Sequence, residues 1–316
     1  MAVATVKGAC PLCGPGYPDV PIAQGPDFEY GTTGPQEFRL ARCADCGIVI
    51  LDPRPADHEI AGLYPRTYEP YRFDELHPLV RRGRDFVQGG KVRAITRYAR
   101  TGGVIVDVGC GNGSLLRRLQ AARRNQFRLI GWDYPGPHLD RLAADGVQVI
   151  AAPIDAAHVP GDVDLFVLNQ VIEHMPQPDR LLAMLTASLR PGGHLVIETP
   201  DTSGLDAQWF SKRYWGGYHI PRHMVLFNQR NLRLLVERAG LRVVHTARLA
   251  SPAFWVQSLH HAALESRLSR AASLCTLRNV PLVMLFSGFD AARSRLSATS
   301  NQRLVAQKPT GAASLS

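Results

Sequence analysis

Four groups of residues have types and spacings that can do chemistry. The first is Val104-Ile-Val-Asp107-Val-Gly109-Cys110-Gly111-Asn-Gly113-Ser114. An apolar β-branched run reads as a strand buried on both faces. The glycines let the chain turn sharply and admit a ligand where a Cβ would stand. A helix starting at Ser114 adds unpaired N–H groups and the positive end of its dipole. The stretch predicts a nucleotide cradle lined by Asp107, Gly109, Cys110, Gly111 and Gly113. Its spacing is G-x-G-x-G, not the G-x-G-x-x-G of dinucleotide folds. The second group is Asp133, which ends the strand-like Phe127-Arg-Leu-Ile-Gly-Trp run. A carboxylate one helix and one strand after the glycines can accept both ribose hydroxyls of an adenosine ligand. Tyr134 is placed to pack on that adenosine.

The third group is a pair of C-x-x-C-G knuckles, Cys10-Pro-Leu-Cys13-Gly14 and Cys43-Ala-Asp-Cys46-Gly47. Two such knuckles supply the four thiolates of a tetrahedral zinc site. With four sulfurs no coordination position is open, so the expected zinc is structural. The fourth group is rich in histidine. Asn169-Gln170-Val-Ile-Glu173-His174 follows the apolar run Val163–Leu168. Ligands bind at such strand ends in open α/β sheets, so Asn169 and Gln170 are expected at the cofactor and Glu173 and His174 at the reacting centre. The segment Trp209–Phe227 carries Trp215, Tyr218, His219, Arg222 and His223, and is read as a substrate lid. Imidazole titrates near working pH, which makes His174, His219 and His223 candidate general bases. Arg222 is expected to meet an anionic substrate group, with Trp215, Tyr218 and, from the N-terminal side, Tyr68 as further substrate contacts.

The elements that must hold these groups alternate strand and helix from Val104 onward, which predicts a mainly parallel sheet with helices on both faces. The expected divisions are a zinc-ribbon module over 1–75, a linker helix over 76–102, a core over 103–250 and 300–309, a helical insertion over 251–299 and a disordered tail over 310–316. The insertion contains the apolar run Pro281-Leu-Val-Met-Leu-Phe-Ser-Gly-Phe289. That run is too short to span a bilayer, and suits a hydrophobic pocket, a membrane surface or a homodimer interface. The N-terminus lacks the order of a signal peptide, so the expected location is cytoplasmic. Net charge is +9, carried mostly by arginine. The arginine clusters are short and not interleaved with aromatics, so nucleic acid is not the expected partner.

The form Asp107-Val-Gly109-Cys-Gly111-Asn-Gly113 resembles motif I of the class I S-adenosylmethionine (SAM) methyltransferases. The combination of Asn169-Gln-x-x-Glu173-His174 with Leu189-Arg-Pro-Gly-Gly-His-Leu-Val-Ile resembles the branch near the quinone O-methyltransferases. The knuckles, the short strand after Cys46, Pro53-Arg-Pro55 and the tyrosines resemble the zinc-bearing module of bacterial sugar and natural-product methyltransferases. The resemblance implies a Rossmann-like, seven-stranded, mainly parallel sheet whose last strand is antiparallel, here preceded by the helical insertion. It implies SAM as cofactor, a contact between Asp155 and adenine, and methyl transfer to a small-molecule, sugar or lipid-linked acceptor, with an oxygen acceptor and a histidine base expected. In some relatives Glu-x-x-Glu-His at this place binds a divalent metal. Gln170 stands where the first acid would, and a neutral amide is a poor ligand for Mg²⁺. Three other classes are kept as alternatives: an RNA or DNA methyltransferase using the ribbon and arginines, a non-catalytic SAM-binding scaffold, and a dehydrogenase.

Overall fold

The computed structural model describes residues 2–14, 19–65, 89–122 and 126–311. Near the N-terminus, β1 (Asp19–Gly25), β2 (Phe38–Cys43) and β3 (Val49–Leu51) form an antiparallel meander. The core begins at β4 (Val104–Val108). It continues through α1 (Ser114–Ala122), β5 (Arg128–Asp133), α2 (Pro137–Ala144), β6 (Gln148–Ala151), β7 (Val163–Asn169), α3 (Pro178–Ser188) and β8 (Leu189–Pro200). After α4 (Leu205–Trp209) and the short β9 (Val225–Leu226) come α5 (Gln229–Arg238) and β10 (Arg242–Leu249). Three insertion helices follow, α6 (Pro252–Glu265), α7 (Ser269–Leu274) and α8 (Val280–Arg293), before β11 (Asn301–Gln307).

The main sheet has seven strands in the order β10-β11-β8-β7-β4-β5-β6. The strands from β8 to β6 are parallel, while β11 lies antiparallel between β8 and β10. This is the Rossmann-like arrangement that the alternation of elements predicted. Ile105, Val106 and Val108 in β4 and Leu165 to Leu168 in β7 are fully buried, as helix-covered central strands require. Each fully buried chain of this kind contributes roughly 1.5–3 kcal/mol. The carboxyl ends of β4, β5 and β7 therefore open on one edge, which collects the glycine loop, Asp133 and Asn169.

The small sheet departs from a free-standing ribbon. Its order is β9-β3-β2-β1, so the edge strand β9 comes from the far end of the lid segment, with Val225 opposite Ile50. The N-terminal module and the lid are thus one hydrogen-bonded unit. Of the expected linker helix, residues 89–96 are helical and 97–102 form turns; residues 76–88, Tyr68 and the 123–125 stretch lie outside the described residues. The insertion is pinned by Asp290, which is buried and accepts from the Ser251 N–H at 2.9 Å and Trp255 Nε1 at 3.1 Å. No helix among the described residues is long and apolar enough to cross a membrane.

Candidate active site

The three loop glycines all take positive φ, 64° at Gly109, 54° at Gly111 and 71° at Gly113. They do so for different reasons. A Cβ at Gly109 would lie 2.7 Å from Val171, and one at Gly113 2.5 Å from Leu142. Around Gly111 nothing stands within 4 Å. Two glycines therefore serve packing, and Gly111 is the one that faces open space. Asp133 ties this loop down: its Oδ2 accepts the Gly111 N–H at 2.7 Å and its Oδ1 the Tyr134 N–H at 2.8 Å. A carboxylate has about four acceptor positions, so Asp133 keeps capacity for hydroxyl donors. Burial raises its pKa, against the pull of those two N–H groups. Asp107 is buried beneath the loop, and burial pushes it up to about 7 although Lys91 opposes the shift.

Lys91 is a site residue that the motifs did not reveal. Its Nζ donates to Asn169 Oδ1 and lies 2.5 Å from Glu198 Oε2; Arg303 Nε donates to Glu198 Oε1 at 2.7 Å. Two cations thus hold Glu198 below its ordinary value in spite of its burial. The available signal was rarity: Lys91 is one of only four lysines in an arginine-rich chain.

The remaining cofactor candidates separate. Cys110 turns its thiol into the core, where a Cβ on Gly131 would come within 3.0 Å of the sulfur. Asp155 is half-buried, and its Oδ1 lies 2.7 Å from His158 Nδ1. Gln170 adopts φ 56° and donates from Nε2 to Asn301 at 3.1 Å. That side chain is committed elsewhere, so the Glu-x-x-Glu-His set of some relatives is not assembled around position 170.

Just past the end of β7, His174 meets two imidazoles of the lid, His219 and His223. The ring centroids of His174 and His223 are 4.6 Å apart, those of His219 and His223 4.9 Å, and those of His174 and His219 6.0 Å. The His174 Nδ1 and Tyr64 hydroxyl are 3.0 Å apart. His223 Nδ1 lies 2.8 Å from the Gly217 carbonyl, which directs Nε2 toward Glu173 Oε1 at 3.9 Å. Burial, reinforced by the neighbouring His219, takes His174 down to about 3, and burial with the His174 charge takes His223 well below its ordinary value. Glu173 is fully enclosed, accepts from Thr199 Oγ1 at 2.8 Å, and is pushed up to about 8 by burial.

His219 differs from the other two histidines. Its Nδ1 is 2.7 Å from Glu29 Oε1, a carboxylate from the β1–β2 connection that sequence reasoning missed. Burial opposes ionisation of Glu29, yet the adjoining His219 holds its pKa below the ordinary value. His219 itself has φ 39°, a left-handed conformation that costs energy for a side chain of this kind.

The other lid residues correct the sequence reading. Arg222, expected at an anionic substrate group, is wholly buried. Its Nη1 and Nη2 lie 3.0 and 2.8 Å from the two oxygens of Asp27, and Nε donates to the Leu63 carbonyl at 2.8 Å. It also stacks over the Tyr30 ring at 4.4 Å. Its charge is used inside the protein, to bind the lid to the N-terminal module. Trp215 and Tyr218, expected as substrate contacts, are buried too. Trp215 Nε1 donates to Asp206 at 3.0 Å and the Tyr218 hydroxyl to the Ser211 carbonyl at 2.5 Å. Their physical role is to staple the lid.

The four knuckle cysteines converge as the spacing required. The sulfurs of Cys10, Cys13, Cys43 and Cys46 all lie within 4.8 Å of one another. Gly14 and Gly47 take φ 83° and 76°, and their N–H groups close each turn onto the Cys10 and Cys43 carbonyls. The cluster is joined to the core: Asn231 Nδ2 donates to the Cys46 carbonyl at 3.4 Å, and Arg238 to that of Leu12.

Comparison with known proteins agrees with this geometry. Residues 80–246, just over half of the chain, match the family model described as "Methyltransferase domain". The chain is similar to the ubiquinone biosynthesis O-methyltransferase of Cupriavidus pinatubonensis, 34% identical over 100 residues, covering 30% of this chain and 40% of that protein. It is similar to the trans-aconitate 2-methyltransferase of Deinococcus radiodurans, 33% identical over 97 residues, covering 30% and 37%. The match thus spans about two fifths of the length of those relatives. Among solved structures, a Burkholderia thailandensis 1,6-didemethyltoxoflavin-N1-methyltransferase with bound S-adenosylhomocysteine aligns over 84% of this chain and 97% of that one, with 17% identity and a TM-score of 0.47.

Proposed function

The chain belongs to the class I SAM-dependent methyltransferases, and from that premise we propose that it methylates an oxygen of a small-molecule, sugar or lipid-linked acceptor, with His219 as general base. The observation that carries this reading is the convergence of three imidazoles and Glu29 beside the turn after β7, whose Val171 packs against Gly109. The names of the ubiquinone-biosynthesis relatives, which are O-methyltransferases, support the oxygen acceptor.

The residues fit SAM. Gly111 leaves the approach open, Asp133 offers acceptor positions for ribose hydroxyls, and Tyr134 is 52% exposed beside it. Asn169, at the carboxyl end of β7, is oriented by Lys91. When bound, SAM supplies an electrophilic methyl group, so the protein must mainly align the acceptor and remove a proton. His219 takes the acceptor's proton on the nitrogen not facing Glu29, and the Glu29 carboxylate stabilises the imidazolium that results. His174 and His223 stay neutral at working pH, because burial disfavours their charge. They shape the pocket and keep a second positive charge away from His219. Gln170 is turned away from this cluster, while Glu173, His174 and His223 each bring one ligand atom within 4.8 Å of the others; no step is assigned to a metal there.

The four converging sulfurs suit zinc, which would be held by Cys10, Cys13, Cys43 and Cys46 in a closed, structural role. The test of the methyl-transfer reading is SAM binding by calorimetry, followed by labelled SAM with a cell extract and identification of the labelled product. SAM binding with label on a hydroxyl-bearing small molecule or glycolipid is expected. Label on RNA or DNA, or binding without transfer to any fraction, would overturn it.

A further inference from the structure

An amphipathic helix on a protein surface normally turns its apolar stripe inward and a polar face to water. Helix α8 departs from this and is apolar on both sides. Its buried or half-buried side carries Phe286, stacked on Trp255 at 5.1 Å, and the polar Asp290 that pins the helix. Its exposed positions are Pro281, Met284, Leu285, Gly288, Phe289, Ala291 and Ala292. Those numbers step by three and four, so they form one continuous outward stripe. No member of the stripe is polar, and Met284 and Leu285 are 68% and 64% exposed. Leu296, just beyond the helix, is 87% exposed.

Charge surrounds the stripe with one sign. Arg278 precedes it and Arg295 follows it, both exposed, and Arg267 and Arg270 are exposed on the same insertion. The insertion holds two acids only. Asp290 is buried, and Glu265 is paired with Arg213 at 2.8 Å. An apolar stripe flanked by arginines that have no acidic partner among the described residues suits a surface that offers both hydrocarbon and anionic groups. A second copy of the same face would bring like charges together, which disfavours self-association.

We propose that α8 docks flat on an anionic lipid bilayer, with its outer stripe in the headgroup and acyl boundary and the arginines on lipid phosphates. The helix has 14 residues, about 21 Å at 1.5 Å per residue, so it lies on the membrane and does not span it. Vesicle binding needs neither SAM nor acceptor, so this inference stands or falls separately from the methyl-transfer reading. It would place the enzyme where lipid-linked acceptors reside.

The test is co-sedimentation of the full chain with vesicles of phosphatidylcholine containing phosphatidylglycerol, and with phosphatidylcholine alone. Binding to the anionic vesicles is expected, with at least about tenfold weaker binding to neutral ones and release as salt rises. The double variant Met284→Asp/Leu285→Asp should lose binding while keeping wild-type SAM affinity by calorimetry, which shows that it is folded. Arg278→Gln/Arg295→Gln, which leaves the apolar stripe intact, should weaken binding to anionic vesicles only. Failure to bind anionic vesicles, equal binding to both compositions, or a double variant that binds as well as wild type would each overturn the proposal. A dimer by light scattering that Met284→Asp dissolves, without vesicle binding, would assign the stripe to a second copy instead.

Discussion

The two walls of the proposed active site are built by different means. The cofactor wall is local: eleven consecutive residues from Val104 to Ser114 form strand, loop and helix start, and Asp133 locks the loop from the neighbouring strand. The acceptor wall is assembled from three distant stretches. Glu29 and Asp27 come from the N-terminal module, Glu173 and His174 from the end of β7, and His219 to His223 from the lid. Buried charge holds that second wall together, with Arg222 in the middle. The contrast teaches that substitutions at the buried charges of the acceptor wall should first cost folding, and those at the ligand-facing positions of the cofactor wall should first cost SAM affinity.

The largest expected effect is at the knuckles. Cys43→Ser should abolish zinc retention, measured by metal analysis, and lower the melting temperature sharply, because a structural zinc site contributes on the order of 10 kcal/mol in small domains. Core residues pack directly on Cys10 and Cys43, so the loss should reach beyond the module. A melting curve unchanged after zinc removal would show that the small sheet stands without metal.

Next is the buried ion pair. Arg222→Met leaves Asp27 enclosed without its cation, at a cost of about 3–5 kcal/mol in denaturant unfolding. Adding Asp27→Asn should recover much of that loss, since the uncompensated charge is then gone. If Arg222→Met is as stable as the native chain, the lid is not held as described.

The cofactor wall has one stability signature of its own, at Asp107. Its native pKa is about 7, against 3.8 ordinarily. The native state therefore keeps the proton while the unfolded chain has released it, and the unfolded state binds fewer protons between those values. By linkage, stability of the SAM-free protein should fall as pH rises from about 4 to about 7 and then level off. Asp107→Asn should flatten that slope by a few kcal/mol; an identical slope in the variant would assign the effect elsewhere. The smallest effect is expected at Asp133. Asp133→Ala should weaken SAM about tenfold, or roughly 1.4 kcal/mol, with little change in fold, and a change within about twofold would remove it from ribose binding.

The difference in construction also explains what could be read beforehand. The alternation of strands and helices, the glycine loop and the position of Asp133 were legible, because each depends on neighbours in sequence, whereas the antiparallel last strand after an insertion came only with the resemblance to the methyltransferase fold. The pairing of Cys10 and Cys13 with Cys43 and Cys46 was legible because zinc chemistry admits few ligand spacings. Glu29, Asp27 and Lys91 were not, since an isolated acid or lysine carries no spacing and gains meaning only when folding brings a partner to it. Arg222 was misread for the same reason: a cation among aromatics looks like an anion site until the buried Asp27 is seen 195 positions earlier. Trp215 and Tyr218 belong with it, aromatic residues whose polar atoms find internal partners.

The central claim is that His219, held by Glu29 on the acceptor wall, removes the acceptor's proton. The direct measurement is methyl transfer from labelled SAM to the extract fraction that the native enzyme labels, with SAM affinity determined on the same samples. His219→Ala is predicted to keep SAM affinity within about twofold and to lose at least a hundredfold in transfer rate, the range expected for removing a general base. Transfer at the native rate by a His219→Ala protein with normal SAM binding would contradict the account.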